Sequence, residues 1–253
     1  MSFLSFVQSY IRTMAARGRE TERIGPFLAT YSTHTGHPML NYAVPDDGAV
    51  PTTAEVDALT AAYRRRELTP RLEFLTEVVP ATEVVLRERG YALERRIPLM
   101  TCAPEDAVAW PCPEDLTLLA PGSDVEFLAM INAQREAYDQ HDPAGDEDIA
   151  SLRDLVGRGG LAVLAVHTAT GDPVGGGVGT ELLDATTEIA GIGVRERYRR
   201  RGVAAAITSW LTAEAHQRGG KTVFLTPAGE PEERIYARIG YRRAAECVHL
   251  SLS

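Results

Sequence analysis

The sequence predicts a mixed α/β fold of the α+β class that contains two copies of one βαβ-type unit. Strand-like runs alternate along the whole chain with segments whose apolar residues repeat at helical spacing. Phe74-Leu75-Thr76 and Gly90-Tyr91 recur 150 positions later, as Phe224-Leu225-Thr226 and Gly240-Tyr241. A Pro-rich stretch, residues 103–114, interrupts the periodicity and is typical of a linker between two domains.

The first copy is predicted to begin with a helix, because apolar residues from Phe3 to Met14 have amphipathic spacing. Polar residues interrupt this segment, so it is not a signal peptide. Thr52 and Glu55 form a capping-box pattern that predicts the start of the second helix. The predicted elements are helices at 3–17, 53–66 and 80–89, and strands at 26–33, 38–44, 71–76 and 92–101.

The second copy is predicted to follow the linker with a strand and two helices before its longest run of strands. Gly219-Gly220 marks the end of the third of its helices. The predicted helices are 124–138, 149–156, 202–217 and 232–239, and the predicted strands are 116–119, 162–167, 174–181, 187–194, 221–226 and 242–252.

The composition restricts the class of protein. With 44% hydrophobic and 24% charged residues, the chain has an ordinary globular composition. A net charge of −9 argues against general nucleic-acid binding, which needs a broad basic surface. The three cysteines have no metal-ligand spacing, which favours reduced thiols in a cytoplasmic protein and no metal site. No run approaches the roughly 20 apolar residues of a membrane span.

Five arginines precede the helix predicted to begin at Gly202, and we call residues 195–201 the arginine loop. Cations at a helix N-terminus are unfavourable unless an anion binds there. Backbone N–H groups at a helix start, together with guanidinium groups, make a phosphate site. A solvated basic loop is the alternative, but the charge of this loop is opposite to that of the chain.

The arginine loop resembles a known motif. Arg199-x-x-Gly202-x-Ala204, after a strand, is similar to the pyrophosphate loop of the GNAT acetyltransferases, Arg/Gln-x-x-Gly-x-Gly/Ala. Downstream, Phe224-Leu225-Thr226 and the Tyr236 to Tyr241 segment resemble the next strand and the Tyr-x-x-x-Gly-Phe/Tyr helix end of that family. The resemblance covers roughly residue 116 to the C-terminus.

The resemblance implies a tandem arrangement, with a degenerate domain at 1–104 and an acetyltransferase domain at 115–253. It implies a central, mostly antiparallel mixed sheet flanked by helices in each half, and acetyl-CoA as co-substrate in a slot between two splayed strands. Backbone groups of Ile192, Gly193 and Val194 would bind the pantetheine arm, with an N–H near Val194 facing the thioester carbonyl. The implied diphosphate-binding residues are Arg199, Arg200, Arg201, Gly202, Val203 and Ala204.

Two side chains are candidates for proton transfer. Tyr236 is the predicted general acid for the departing thiolate, because a phenol is protonated at neutral pH. A tyrosine that only anchors its helix to the sheet is the alternative. Glu188 is the candidate general base, and an exposed strand-end glutamate is its alternative. The acidic loop Asp139–Asp148 would attract a cationic amine or, as the other interpretation, is only solvated.

The first copy lacks these groups. The counterpart of the arginine loop, residues 45–52, has two aspartates and no arginine, and Leu86 corresponds to Tyr236. The sequence therefore predicts that the first half serves packing or forms one wall of the substrate cleft.

The predicted function is acetyl transfer to a primary amine of a small molecule or peptide, by direct attack in a ternary complex of a monomer or homodimer. A non-catalytic acyl-CoA-binding or regulatory module is the alternative. Nucleic-acid binding through the arginine loop is a third hypothesis, and the acidic net charge disfavours it.

Overall fold

The computed structural model describes residues 3–33, 35–140 and 142–253, and it confirms the mixed α and β fold class. The helices are α1 Phe3–Ala15, α2 Thr53–Arg65, α3 Pro80–Glu88, α4 Asp124–Ala137, α5 Asp146–Gly157, α6 Val203–Gln217 and α7 Glu230–Arg238. The strands are β1 Arg19–Ile24, β2 Phe27–Ser32, β3 Ala43–Pro45, β4 Arg71–Leu75, β5 Ala92–Cys102, β6 Leu116–Leu119, β7 Leu161–His167, β8 Pro173–Gly179, β9 Thr186–Val194, β10 Thr222–Leu225 and β11 Arg242–Ser251. Within these residues, no helix has the length and apolar character needed to cross a bilayer.

Three local predictions were wrong. The strand predicted at 38–44 is a 3-10 turn, Pro38–Leu40, followed by the short β3. Strand β1 was not predicted, because its sequence R-E-T-E-R-I has no apolar alternation. Such a charged strand is typical of a sheet edge. Helices α5 and α7 begin earlier than predicted, because acidic residues occupy their first turns, where the helix dipole favours negative charge.

The predicted repeat extends to the secondary structure. Helices α6 and α7 and strand β11 begin 150 residues after α2, α3 and β5, respectively. Each copy therefore has the same order of helix, strand, helix and strand. The α2 capping box is also confirmed, since Thr52 Oγ1 accepts from the Glu55 N–H and Glu55 Oε2 accepts from the Thr52 N–H.

The chain forms two compact units, residues 1–99 with 244–253, and residues 100–243. The final strand of each copy contributes to the unit of the other copy. In the first unit β11 pairs with β4, with Val248 opposite Phe74. In the second, the end of β5 pairs with β10, with Thr101 opposite Phe224. The domain limits 1–104 and 115–253 remain a prediction, and they differ from these units in where residues 100–104 and 244–253 belong.

The sheet of the first unit has the order β1-β2-β3-β4-β11. Only β3 and β4 are parallel, because α2 connects them as a crossover. An apolar cluster in its core includes Phe27, Tyr63, Phe74 and Leu86.

The sheet of the second unit has the order β5-β10-β9-β8-β7-β6, and its one parallel pair is β9 with β10, connected by α6. Ile207 and Leu211 of α6 pack in one core cluster of this unit. Phe127 and Met130 of α4 pack in another. Helices therefore pack on both sides of strand β9, which is the central element of the site described next.

Candidate functional site

The parallel strands β9 and β10 separate partway along β9. They pair at Thr186 with Thr222, Thr187 with Val223, and Glu188 with Phe224. Strand β10 ends at Leu225, whereas β9 continues to Val194. Across the described ranges, no strand pairs with this edge of β9 after Glu188. The unpaired edge exposes backbone donors and acceptors, which suits an extended ligand that binds like an added strand.

A bulge shapes β9 within this opening. Gly193 pairs with Gly176 and Ala190 pairs with Val178, so Gly191 and Ile192 lie opposite a single residue of β8. Gly191 has φ +61, which L side chains rarely adopt. At Gly193, a Cβ would lie 2.9 Å from the Cα of Gln134. The absence of a side chain at Gly193 therefore allows helix α4 to pack closely on β9.

Side chains from α4 and its C-terminal end bind the carbonyl groups of the bulge. The Gln134 amide donates to the Gly191 carbonyl at 2.5 Å, and the Tyr138 hydroxyl donates to the Ile192 carbonyl at 3.0 Å. Sequence analysis did not assign these two residues to the site. Their spacing of four residues, which places them on one helix face, was the available signal.

The connection from β9 to α6 has the geometry of an anion site. Buried Tyr198 anchors the 3-10 turn Glu196–Tyr198 in the core. Arg200, at φ +61, and Gly202, at φ +82, then turn the chain into α6. The N-cap residue of this helix, Gly202, has no side chain that could cap it. Its first backbone N–H groups therefore lack intrahelical partners, and the helix dipole favours an anion there.

The five arginines have different partners. Arg195 donates to Glu136 Oε1 at 2.7 Å, and Arg199 donates to the carbonyls of Val194 and Ala137 at 3.1 and 2.8 Å. Arg197 lies 3.5 Å from Asp172. Arg200 has no ion pair or hydrogen bond with any residue that the structure describes. The loop is thus not a set of five equivalent cations, and Arg200 is the one that remains open to a ligand.

Arg201 forms an ion pair with Asp115 at the surface. The hydrogen bond from Arg201 holds the pKa of Asp115 below its ordinary value. Exposed pairs of this kind contribute little to stability, because water screens both charges. Arg201 can therefore exchange this carboxylate for a phosphate at small cost.

Tyr236, on α7, is only 8% exposed and packs beside Tyr241, with ring centroids 6.2 Å apart. Burial raises its pKa above the ordinary value of 10.0, and nearby Tyr138 and Glu232 raise it further. Its hydroxyl has no hydrogen-bond partner within the described part of the chain. The phenol is therefore held protonated, and its O–H is available as a donor.

Glu188 lies at the fork, since it is the last residue of β9 that pairs with β10. Its backbone N–H donates to Thr180 Oγ1 at 2.9 Å, and its carbonyl accepts from the Thr180 N–H at 2.8 Å. The side chain is half-buried. A carboxylate in this position is at the closed end of the opening between the two strands.

The first unit contains a cluster with metal-ligating atoms, formed by Glu73, Cys247 and His249 within 4.8 Å of one another. Arg71 lies in the same cluster, 2.6 Å from His249 Nδ1 and 3.1 Å from Glu73 Oε2. A guanidinium only donates, so it makes Nδ1 the acceptor nitrogen of the ring and already neutralises the carboxylate. This arrangement favours a buried ion-pair network over a metal centre.

Comparison with known proteins agrees with this geometry. The model of the acetyltransferase (GNAT) family matches residues 127–241. A GCN5-related N-acetyltransferase from Kribbella flavida superposes with a TM-score of 0.83 at 27% identity, covering 99% of this chain and 96% of that one. One from Sphaerobacter thermophilus gives 0.70 at 21% identity, covering 90% and 76%. No curated protein matches the chain.

The tandem architecture has a structural counterpart as well. A tandem GNAT protein from the clavulanic acid biosynthesis pathway has the same fold, with a TM-score of 0.66 at 14% identity, covering 100% of this chain and 88% of that one. The resemblance to the GNAT acetyltransferases and the predicted tandem fold are therefore confirmed.

Proposed function

Since residues 127–241 form a domain of the GNAT acetyltransferase family, we propose that the protein transfers the acetyl group of acetyl-CoA to a primary amine. One observation carries the proposal. The opening between β9 and β10 leads from an uncapped helix N-terminus at Gly202 to the fork at Glu188. A diphosphate bound at one end and a thioester bound toward the other would match acyl-CoA, which has both groups in one extended molecule.

The diphosphate end is the helix start. The N–H groups of Gly202, Val203 and Ala204 bind phosphate oxygens, and Arg200 adds a cation that no protein carboxylate already holds. Arg201 joins them when it leaves Asp115. Arg199 braces the turn through its bonds to Val194 and Ala137.

The pantetheine arm follows the free edge of β9. Its amides pair with backbone groups of Ile192, Gly193 and Val194, as a strand would. The Ile192 carbonyl already accepts from Tyr138, but a carbonyl oxygen has a second lone pair for the arm. The N–H near Val194 then stabilises the negative charge that develops on the thioester oxygen.

The chemistry is direct transfer in a ternary complex. The amine nitrogen attacks the thioester carbon and forms the C–N bond, while Glu188 accepts the proton that the nitrogen loses. The C–S bond then breaks, and the Tyr236 hydroxyl donates its proton to the departing thiolate. Glu188 and Tyr236 return to their starting states by proton exchange with water.

The direct test is a panel of amines incubated with acetyl-CoA and the protein, with free thiol release as the readout. Amino acids, polyamines, aminoglycosides and peptide N-termini cover the main acceptor classes. We expect turnover with at least one class, and no thiol release above background without an amine. Calorimetric CoA binding with no turnover across the panel would instead favour the non-catalytic module.

A further inference from the structure

Trp110 lies in the segment between β5 and β6, and three hydrogen bonds hold that segment against helix α6 and the end of α7 within the second unit. The Trp110 N–H donates to Ser209 Oγ of α6 at 3.0 Å. Ser209 Oγ in turn donates to the Val108 carbonyl at 3.3 Å, and the Val108 N–H donates to the Ile239 carbonyl at 3.1 Å. The indole itself packs, half-buried, against the core cluster that contains the start of α6. Its position is therefore fixed by both its backbone and its ring.

The indole nitrogen lies directly beside the start of α6. A Cβ placed on Gly202 would be 3.1 Å from Trp110 Nε1 and 3.9 Å from Cε2. A side chain at position 202 would be unfavourable for two reasons. The φ of +82 would be strained, and the Cβ would lie close to this ring. The nitrogen edge of the indole, rather than its carbon edge, is the part next to the helix start.

The indole N–H has no hydrogen-bond partner among residues 3–33, 35–140 and 142–253. The indole is half-buried, so its N–H can donate to water or to a bound ligand. Gly202, the residue beside Nε1, is the N-cap of α6, and the first N–H groups of a helix are donors and not acceptors. Donors without protein acceptors that lie close together suit an anion with several oxygens.

We propose that the Trp110 indole donates a hydrogen bond to the diphosphate of the bound acyl-CoA, as one further residue of the cofactor site. The inference rests on the proposed function, since it assigns a ligand to the same helix start. An indole N–H is a neutral donor, so it adds affinity without adding to the positive charge of the arginine loop.

The chain offers a matched pair of probes, because it has two tryptophans, Trp110 and Trp210. In Trp210→Phe the fluorescence comes from Trp110 alone, and in Trp110→Phe it comes from Trp210 alone. We expect CoA to change the fluorescence of W210F saturably and to leave that of W110F nearly unchanged. ADP, which has the diphosphate, should reproduce the change, whereas pantetheine, which lacks it, should not.

Affinity supplies the second measurement. Trp110→Phe keeps an aromatic ring against the core and removes the N–H, so it should raise the calorimetric Kd for CoA by about 3- to 30-fold, as expected for one hydrogen bond to a charged acceptor. Trp210→Phe should leave the Kd within about twofold of wild type. Circular dichroism melting of both variants separates a loss of binding from a loss of folding.

The outcomes distinguish this inference from the proposed function. If CoA binds to wild type and to W110F equally well, and the fluorescence of W210F stays flat at saturation, Trp110 only packs the linker and the inference is wrong. A response of W210F to pantetheine but not to ADP would place Trp110 on the arm instead of the diphosphate. If wild type binds no CoA by calorimetry, the proposed function fails first, and the inference fails with it.

Discussion

The two copies differ in the groups that lie where their parallel strands separate. In each, a helix connects two parallel strands that pair briefly and then separate, β3 from β4 and β9 from β10. In the first unit, α1 places Gln8, which is 0% exposed, at the separation. Its amide nitrogen donates to the Pro45 carbonyl at 3.2 Å, and its oxygen accepts from the Leu75 N–H at 2.9 Å. One protein amide thus bridges the strands.

The N-termini of α2 and α6 also differ in whether groups of the protein itself cap them. In the first unit, Thr52 caps α2, and Asp46 and Asp47 are paired with Arg23 and Arg12. In the second, α6 has no side-chain cap. Buried backbone groups must find partners. At these positions the first copy therefore satisfies its own backbone groups, whereas the second leaves N–H groups that a ligand can satisfy.

The largest expected effect is on catalysis. Tyr236→Phe removes the hydroxyl that we assign as proton donor, so kcat for thiol release should fall by about 10²- to 10⁴-fold, the usual contribution of a general acid. The calorimetric Kd for CoA should stay near the wild-type value. Tyr91→Phe, which removes a hydroxyl in the first unit, is the control and should leave kcat unchanged. If kcat is undiminished in Y236F, Tyr236 only anchors its helix to the sheet and is not the general acid.

The next effect is on stability. Gln8→Met keeps the volume of the side chain but leaves the Leu75 N–H without its acceptor and the Pro45 carbonyl with the Arg12 guanidinium as its remaining donor. The free energy of unfolding should therefore fall by about 1–3 kcal/mol. Urea denaturation measures this loss. Gln140→Met makes the same change at an exposed position and should be nearly neutral. Equal stabilities for the two variants would show that the Gln8 bridge between β3 and β4 does not stabilise the fold.

Gly202→Ala tests the helix start of the second copy. A Cβ at φ +82 costs about 1 kcal/mol, and it would also press on Trp110, so the Kd for CoA should rise by about tenfold. Gly48→Ala is matched in backbone strain, with φ +69, but a Cβ there meets no atom within 4 Å. It should lose similar stability and bind CoA like wild type. If both variants bind CoA normally, the site does not lie at Gly202.

The smallest expected effect is on pH dependence in the first unit. Burial would raise the pKa of Glu73, but its bonds with His249 and Arg71 hold that pKa below the ordinary 4.5. A carboxylate with a depressed folded-state pKa stabilises the fold above its unfolded-state pKa, and this contribution is lost as the pH falls through the folded-state value. The second copy has Lys221 and Val223 at the positions corresponding to Arg71 and Glu73.

Urea midpoints measured from pH 7 downward test this difference. Wild type should lose stability below about pH 4.5, the ordinary pKa of a glutamate. Glu73→Gln should be less stable at pH 7 but should show a weaker decline on acidification. Glu88→Gln, at an exposed position on α3, should follow the wild-type curve. A decline in E73Q as steep as in wild type would assign the acid sensitivity to other carboxylates.

Much of the candidate site was predictable, because its groups are close together in the sequence. The strand before the arginine loop, the helix start at Gly202 and the helix that carries Tyr236 all follow from local spacing. Gln134 and Tyr138 were not assigned, since they reach Gly191 and Ile192 across more than 50 positions of sequence. The individual partners of the arginines were likewise unpredictable, because spacing reports where a cation lies along the chain and not which carboxylate it meets.

The amino-acid sequence alone was enough to predict the two copies, the alternation of their helices and strands, and the motifs that resemble the GNAT acetyltransferases. These features depend on local periodicity and on residues a few positions apart. Three features could be known only from the fold: each copy contributes its last strand to the sheet of the other unit, Gln8 bridges β3 and β4, and Trp110 lies beside Gly202. These contacts join residues that are far apart in the sequence, 99 positions for Trp110 and Ser209 and 67 positions for Gln8 and Leu75. The periodicity of a strand is the same whichever strand is its partner.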